Sequence, residues 1–211
     1  MNVLTPQTPE AWNAYVRSFA GWDIYYLCEY AVSMQLHGDG EPLLLCFEHG
    51  AERMCYVVMR NDIAGDPRFH GLLPAGRLFD LETPYGYGGP LTDAPLSPEA
   101  QQIFMEELRD YCLEQRIVTQ FLRYHPLLDN HGAVAPMTDT RYLRDTIYMD
   151  TASPELILAN MDSKNRNMVR KAQRSGVTVR KAPMSEYAPF LELYRQTMDK
   201  HSAEDYYTFD T

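Results

Sequence analysis

Hydrophobic and polar positions follow two periods along this chain, and the switches between them mark its elements. Thr8-Pro9-Glu10 reads as an N-cap, a first-turn proline and an early acid, which predicts a helix running toward Gly21. A second short helix is predicted over CEYAVSMQL, stopping at His37-Gly38. PLLLCFE and RMCYVVMR, separated by HGAE, are β-rich runs around a tight turn and predict a hairpin. A third strand is expected in RLFDLETP, running into YGYGGP, whose glycines and proline interrupt regular structure. Ser97-Pro98-Glu99 starts the clearest helix of this half, with Ile103, Leu108, Tyr111 and Cys112 near helical spacing. IVTQFLRY predicts a strand, LLDNHGAVAP a loop or short helical turn, and the alternation in TRYLRDTIYMD another strand. The pattern then restarts with a helix from Ser153-Pro154, a strand at VTVRK, and a helix over MSEYAPFLELYRQTMDKH, whose Pro189 is placed to shorten or kink its start.

The restart sets the expected division: residues 1–150 as one lobe and 151–211 as a second, shorter one, packed together with no flexible linker between them. Helix, helix, three strands, helix and strand in the first part predict an α/β fold on a mixed (α+β) sheet.

On a helical wheel at about 100° per residue, Pro154 to Ser175 separates into two arcs. Ile157, Leu158, Met161, Met168, Val169 and Ala172 share one, and Lys164, Arg166, Arg170, Lys171 and Arg174 share the other. Asp162-Ser163 offers an alternative division, ending one helix and capping a second, and leaves the basic face intact.

Charge sharpens this picture. The chain carries a formal −10, yet residues 163–181 hold seven cations and no acid, and Lys164 is its first lysine. Residues 1–162 are net −13 and residues 182–211 net −4. An acidic total disfavours general nucleic-acid binding, whereas a local anion site is compatible with it. Two readings of the ridge stay open. A charged outer face is usually solvated, or paired with acids elsewhere in the chain. A single-signed face, however, forgoes i,i+4 pairing and costs a few tenths of a kcal/mol per like pair. A bound phosphate or diphosphate would account for that, since guanidinium forks match its oxygens.

Composition narrows the class. With 45% hydrophobic and 23% charged residues the chain is an ordinary globular one, and no run approaches the 18 apolar residues of a spanning helix. The N-terminus has neither basic nor apolar signal regions, so a cytoplasmic location is expected. Cys28, Cys46, Cys55 and Cys112 form no CxxC and no zinc spacing with histidine, so free thiols and no metal are expected. YGYGG, residues 85–89, is the other candidate site: Gly86 and Gly88 permit close backbone approach, and Tyr85 and Tyr87 offer stacking faces and hydroxyls. The competing reading is a turn whose aromatics cover a core edge. GxxxxGK[ST] is absent, so it is no phosphate loop. The six histidines are scattered and read as surface residues. No nucleophile–base pair is legible, and no catalytic residue is assigned.

SKNRNMVRKAQRSGV, followed by FLELYRQTM and YYTF, resembles the opening of the second lobe in FemAB-type transferases. These are aminoacyl-tRNA-dependent peptidyl transferases of peptidoglycan cross-bridge synthesis. DLETPYGYGGPL resembles the first-lobe glycine-rich loop of the same relatives. The resemblance implies two lobes of the GNAT (acyl-CoA N-acyltransferase) fold, the second incomplete because only helix, strand and helix follow residue 150. It implies transfer of an acyl or aminoacyl group to an amine of a cell-envelope precursor, with aminoacyl-tRNA or acyl-CoA as donor substrate and no tightly bound cofactor. It further implies a phosphorylated or nucleotide-linked acceptor held by Lys164, Arg166 and Arg170, and tRNA contact. A CoA-dependent N-acetyltransferase and a non-catalytic module binding an anionic ligand or partner through the basic helix are the alternatives.

Overall fold

A computed structural model describes residues 1–134 and 137–208. Ala135-Pro136 of the expected loop, and Phe209 onward in the YYTF stretch, lie outside the described residues. The chain divides into two compact units, Met1–Asp145 and Thr146–Thr211.

The first unit is built on a mixed sheet. Its elements are β1 (Asn2–Leu4), α1 (Pro9–Arg17), α2 (Cys28–His37), β2 (Glu41–His49), β3 (Glu52–Asp62), β4 (Phe79–Glu82), β5 (Leu91–Thr92), α3 (Pro98–Gln115) and β6 (Ile117–Phe121). Strand order is β1-β2-β3-β4-β6, antiparallel except for the parallel β4–β6 pair, with β5 also on β3. The mixed sheet and the predicted hairpin are therefore present, with β2 and β3 paired from Glu41↔Arg60 to His49↔Glu52. The short strands β1 and β5 escaped prediction because three- and two-residue strands carry too little alternation to register.

Both faces of the hairpin are covered, which explains its continuous apolar runs. Leu43, Leu45, Phe47, Met54, Tyr56 and Val58 meet Phe104 and Ala100 of α3 in one buried cluster. Leu44, Cys46, Cys55 and Val57 meet Trp12, Val16 and Ala31 of α1 and α2 in the other. Full burial of one such large side chain contributes roughly 1.5–3 kcal/mol.

The helix ends follow from local chemistry. Ser97 accepts the Ala100 N–H at 3.2 Å and donates to Glu52 Oε2 at 2.8 Å, tying the start of α3 to β3. Gly38, at φ +111°, closes α2 by donating to the Met34 and Gln35 carbonyls. Helix α1 ends at Arg17, short of Gly21, because Arg53 reaches from β3 to the Ser18 carbonyl (2.9 Å) and hydroxyl (2.7 Å) and holds the turn there.

The second unit holds α4 (Pro154–Asn160), α5 (Ser163–Arg174) and α6 (Tyr187–Lys200). The alternative division applies: Asp162 Oδ1 accepts the Asn165 N–H at 2.7 Å, so two helices replace one. Ser153 caps α4 through the Leu156 N–H at 3.1 Å. Pro189 sits within the first turn of α6, where its missing N–H costs no intrahelical bond. Two predicted strands do not form. VTVRK and TRYLRDTIYMD find no pairing partner among the described residues, and a strand without a ladder leaves its backbone groups to water. Val179 is 95% exposed and Ile147 97%. Both buried clusters consist of first-unit residues, whereas most apolar side chains of α4, α5 and α6 lie at the surface.

Candidate functional site

The glycine-rich loop arises from a mismatch in strand lengths. On β3, three residues, Tyr56–Val58, separate the stretch paired with β4 from the stretch paired with β5. On the other side eight residues, Thr83–Pro90, cover the same interval, so the excess is extruded as a loop. The chain also parts from β6 here and rejoins it. The Arg123 N–H goes to the Thr83 hydroxyl at 2.9 Å in place of a backbone carbonyl, and the Gly88 N–H then meets the Arg123 carbonyl at 2.9 Å.

Side chains of the same unit use the room that the glycines leave. Gly86 has φ +102°, and a Cβ there would sit 2.5 Å from Tyr25 Cε1. A Cβ on Gly88 would fall 2.7 Å from Thr83 Cγ2. Both glycines are thus required by packing, as in the reading of an aromatic-covered turn.

A buried polar network pins the loop from beneath. Asn130 Nδ2 donates to the Gly88 carbonyl (2.8 Å), the Pro90 carbonyl (3.1 Å) and the Tyr26 hydroxyl (3.2 Å), while Oδ1 accepts the His125 N–H at 3.0 Å. The Tyr26 hydroxyl in turn donates to the Gly88 carbonyl at 3.1 Å, and burial pushes its pKa up. His125 is a correction to the expectation of surface histidines, being only 8% exposed. Its Nδ1 accepts the Leu127 N–H at 3.2 Å, which places the ring proton on Nε2, 2.7 Å from Asp23 Oδ2. Asp23 Oδ1 accepts the Tyr25 N–H at 2.9 Å. Around this pair Tyr25 packs edge-on against Tyr30 (5.2 Å between ring centroids), Tyr87 (5.8 Å) and His125 (6.2 Å). The Tyr30 hydroxyl donates to the Tyr85 carbonyl at 2.6 Å, and burial pushes its pKa up to about 12.

Tyr85 is 42% exposed and Tyr87 half-buried, so the loop presents a tyrosine surface on a fixed backbone. Beside it, at the end of β4, burial raises the carboxyl groups of Asp80 and Glu82, the latter also under the field of Asp80, while the Asn61 amide holds Glu82 at 3.0 Å. Asp23, Tyr25, His125 and Asn130 were missed in the sequence because Asp23 and His125 stand 102 positions apart. No spacing rule joins residues so distant.

The basic residues behave differently from one another. Lys164, Arg170, Lys171 and Arg174 are exposed on α5 and make no ion pair among the described residues. Arg166 turns inward: its guanidinium donates to the Met161 carbonyl and to the Leu158 carbonyl at 3.3 Å, closing the C-terminal end of α4. Met168, placed by the wheel among packing residues, is 57% exposed and stands on the same face as Lys164 and Lys171. The structure thus gathers Tyr85, Gly86, Tyr87 and Gly88 at one loop of the first unit, and carries Lys164, Arg166 and Arg170 on one helix of the second.

Two cavities of the first unit are lined by other residues. One of about 250 Å³ is lined by Met1, Asn2, Cys46, Glu48 and Glu107, and one of about 410 Å³ by Pro9, Glu10, Asn13, Ala14, Arg17 and Glu29. Among the described residues no group of His, Cys, Asp and Glu is arranged to hold a metal, and no helix is long and apolar enough to cross a membrane.

In comparisons with known proteins, a family model described as FemAB family matches residues 129–208. That segment includes Asn130 of the buried network and all of α5, and it bears out the resemblance carried by SKNRNMVRKAQRSGV. The glycine-rich loop falls outside it. No curated protein and no solved structure matches the chain.

Proposed function

Taking the FemAB match of residues 129–208 as premise, we propose that the chain is a relative or portion of a transferase that moves an acyl or aminoacyl group to an amine of a peptidoglycan-type precursor. The observation that carries this reading is that the matched segment contains the chain's one concentrated run of cations, and that four of them share a single helix face and make no ion pair among the described residues. Lys164 and Arg170 would hold the acceptor's phosphates. Arg166 would contribute through donors left over from closing α4, and chiefly sets the angle at which α5 follows it. Charge-assisted hydrogen bonds to phosphate contribute about 1.5–3 kcal/mol each.

For the first unit, the order β-α-α-β-β-β-β before α3, the last of these strands being the two-residue β5, with β6 returning parallel to β4, supports a GNAT-like lobe. The parallel pair needs a crossover helix, which α3 supplies. On this reading the Tyr85–Gly88 loop, at the carboxyl ends of β4 and β6, contributes tyrosine faces to a ligand and no phosphate cradle. Transfer to an amine needs orientation and loss of a proton more than a covalent nucleophile.

Calorimetry with a soluble UDP-sugar–peptide precursor tests the acceptor assignment. The unmodified chain is expected to bind, and Lys164→Glu/Arg170→Glu to abolish binding with the helix content intact. Equal affinity in the two proteins would remove the ridge from the site.

A further inference from the structure

The α5 face has a second property that small-anion binding does not require. On the solvent side, Lys164, Met168 and Lys171 recur at i, i+4 and i+7, and Met168, which falls between the two lysines along the helix, keeps 57% of its surface exposed. Arg170 and Arg174 flank this line, and the helix contains no acid from Ser163 to Arg174. The segment beyond its end continues the theme, with Val177 60% exposed and Val179 95% exposed. A small phosphate ligand would engage two or three of the cations and would gain nothing from exposed methionine and valine. A planar anionic surface with an apolar interior would use both kinds of group at once. Cations meet its headgroups, while an unbranched apolar side chain between them enters the acyl boundary.

From this we infer that α5 docks the second unit onto an anionic lipid bilayer, lying in the interface plane with Lys164, Arg170, Lys171 and Arg174 toward the headgroups. The inference deepens the preceding reading, on which it rests for the ridge being an anion site, and assigns the phosphates it meets to a membrane surface. The chain's total of −10 does not oppose it, because screening at physiological ionic strength confines each charge's reach to about 8 Å and residues 163–181 carry seven cations and no acid. Arg166, engaged with the end of α4, holds the docking helix at a fixed angle and stays out of the contact.

Co-sedimentation of the 211-residue chain with phosphatidylglycerol-containing vesicles and with pure phosphatidylcholine vesicles tests this. Binding is expected to the first alone, and to weaken as salt rises. Lys164→Ala/Lys171→Ala is expected to weaken it roughly 25-fold, about fivefold per cation. Met168→Ser, which keeps every charge, is expected to weaken it severalfold. Equal sedimentation with both vesicle types, none with either, or no effect of the double variant overturns the proposal, and an unchanged Met168→Ser overturns the apolar half of the contact. Calorimetry with the soluble UDP-sugar–peptide precursor separates this inference from the acceptor reading. Precursor binding without vesicle binding overturns the bilayer and leaves the acceptor, whereas vesicle binding without precursor binding supports the bilayer and removes the acceptor.

Discussion

The two units of this chain spend their hydrophobic residues in opposite ways. In the first, β2 and β3 are apolar on both faces and covered on both, so Leu43 and Leu44, neighbours in sequence, end up in different buried clusters. In the second, α4 and α5 carry side-chain N-caps as well formed as that of α3, yet Phe190 is 57% exposed, Leu193 64% and Met168 57%. Local signals of helix formation are therefore equal in the two units, and tertiary burial is not. The contrast shows that a cap and a period make a helix legible, while only a partner surface makes it a core.

The contrast can be broken most forcefully from the packed side. Phe104→Ala empties a position surrounded by Phe47 and Tyr56 and is expected to cost about 3–5 kcal/mol, read as a lowered midpoint in urea unfolding. The matching change in the second unit, Leu193→Ala, is expected to move the midpoint by less than about 0.5 kcal/mol. Comparable losses would show that α6 is packed after all.

Next in size is the network under the glycine-rich loop. Asn130→Ala removes the partner of the Pro90 carbonyl and of the His125 N–H and one of the two donors to the Gly88 carbonyl, all in a buried site, with an expected loss of roughly 2–3 kcal/mol. Amide exchange should accelerate over residues 83–90 and stay unchanged in α5.

An alkaline titration separates the two units as well. Burial pushes the Cys46 thiol from 9.0 up to about 12, so the folded first unit holds that proton more tightly than the unfolded chain does. Stability from this group is complete below about pH 9 and is lost as pH rises toward about 12. Cys46→Ala should flatten that part of the alkaline stability profile, and the helical signal of the second unit should not follow it.

A smaller loss is expected at the elbow between α4 and α5. Asp162→Ala removes the acceptor of the Asn165 N–H and should cost about 1 kcal/mol, visible as fraying of α5 in circular dichroism.

How far the sequence carried the fold follows from the same contrast. The hairpin, α3 and the helical restart after Ser153 were legible because their signals are local: alternation around a turn, Ser-Pro-Glu, an amphipathic wheel. The absence of a strand at VTVRK was not legible, since alternation predicts a strand's faces and says nothing of whether an edge is present to pair with it. At the site, the tyrosines and glycines of YGYGG were visible as types. What holds them, Asn130 and the Asp23–His125 pair, depends on contacts between residues roughly 40 to 100 positions apart. On α5 the wheel located the four exposed cations, and misjudged Arg166, which turns toward the end of α4, and Met168, which stays exposed, because a wheel gives direction around an axis and not what stands opposite.

On the function proposed above, α5 is the surface that meets the ligand's phosphates. Backbone amide shifts during titration with the soluble UDP-sugar–peptide precursor test it most directly. Perturbations are expected to concentrate between Ser163 and Arg174 and to be abolished by Lys164→Glu/Arg170→Glu. Perturbations confined to the first unit, with α5 unmoved, would contradict it.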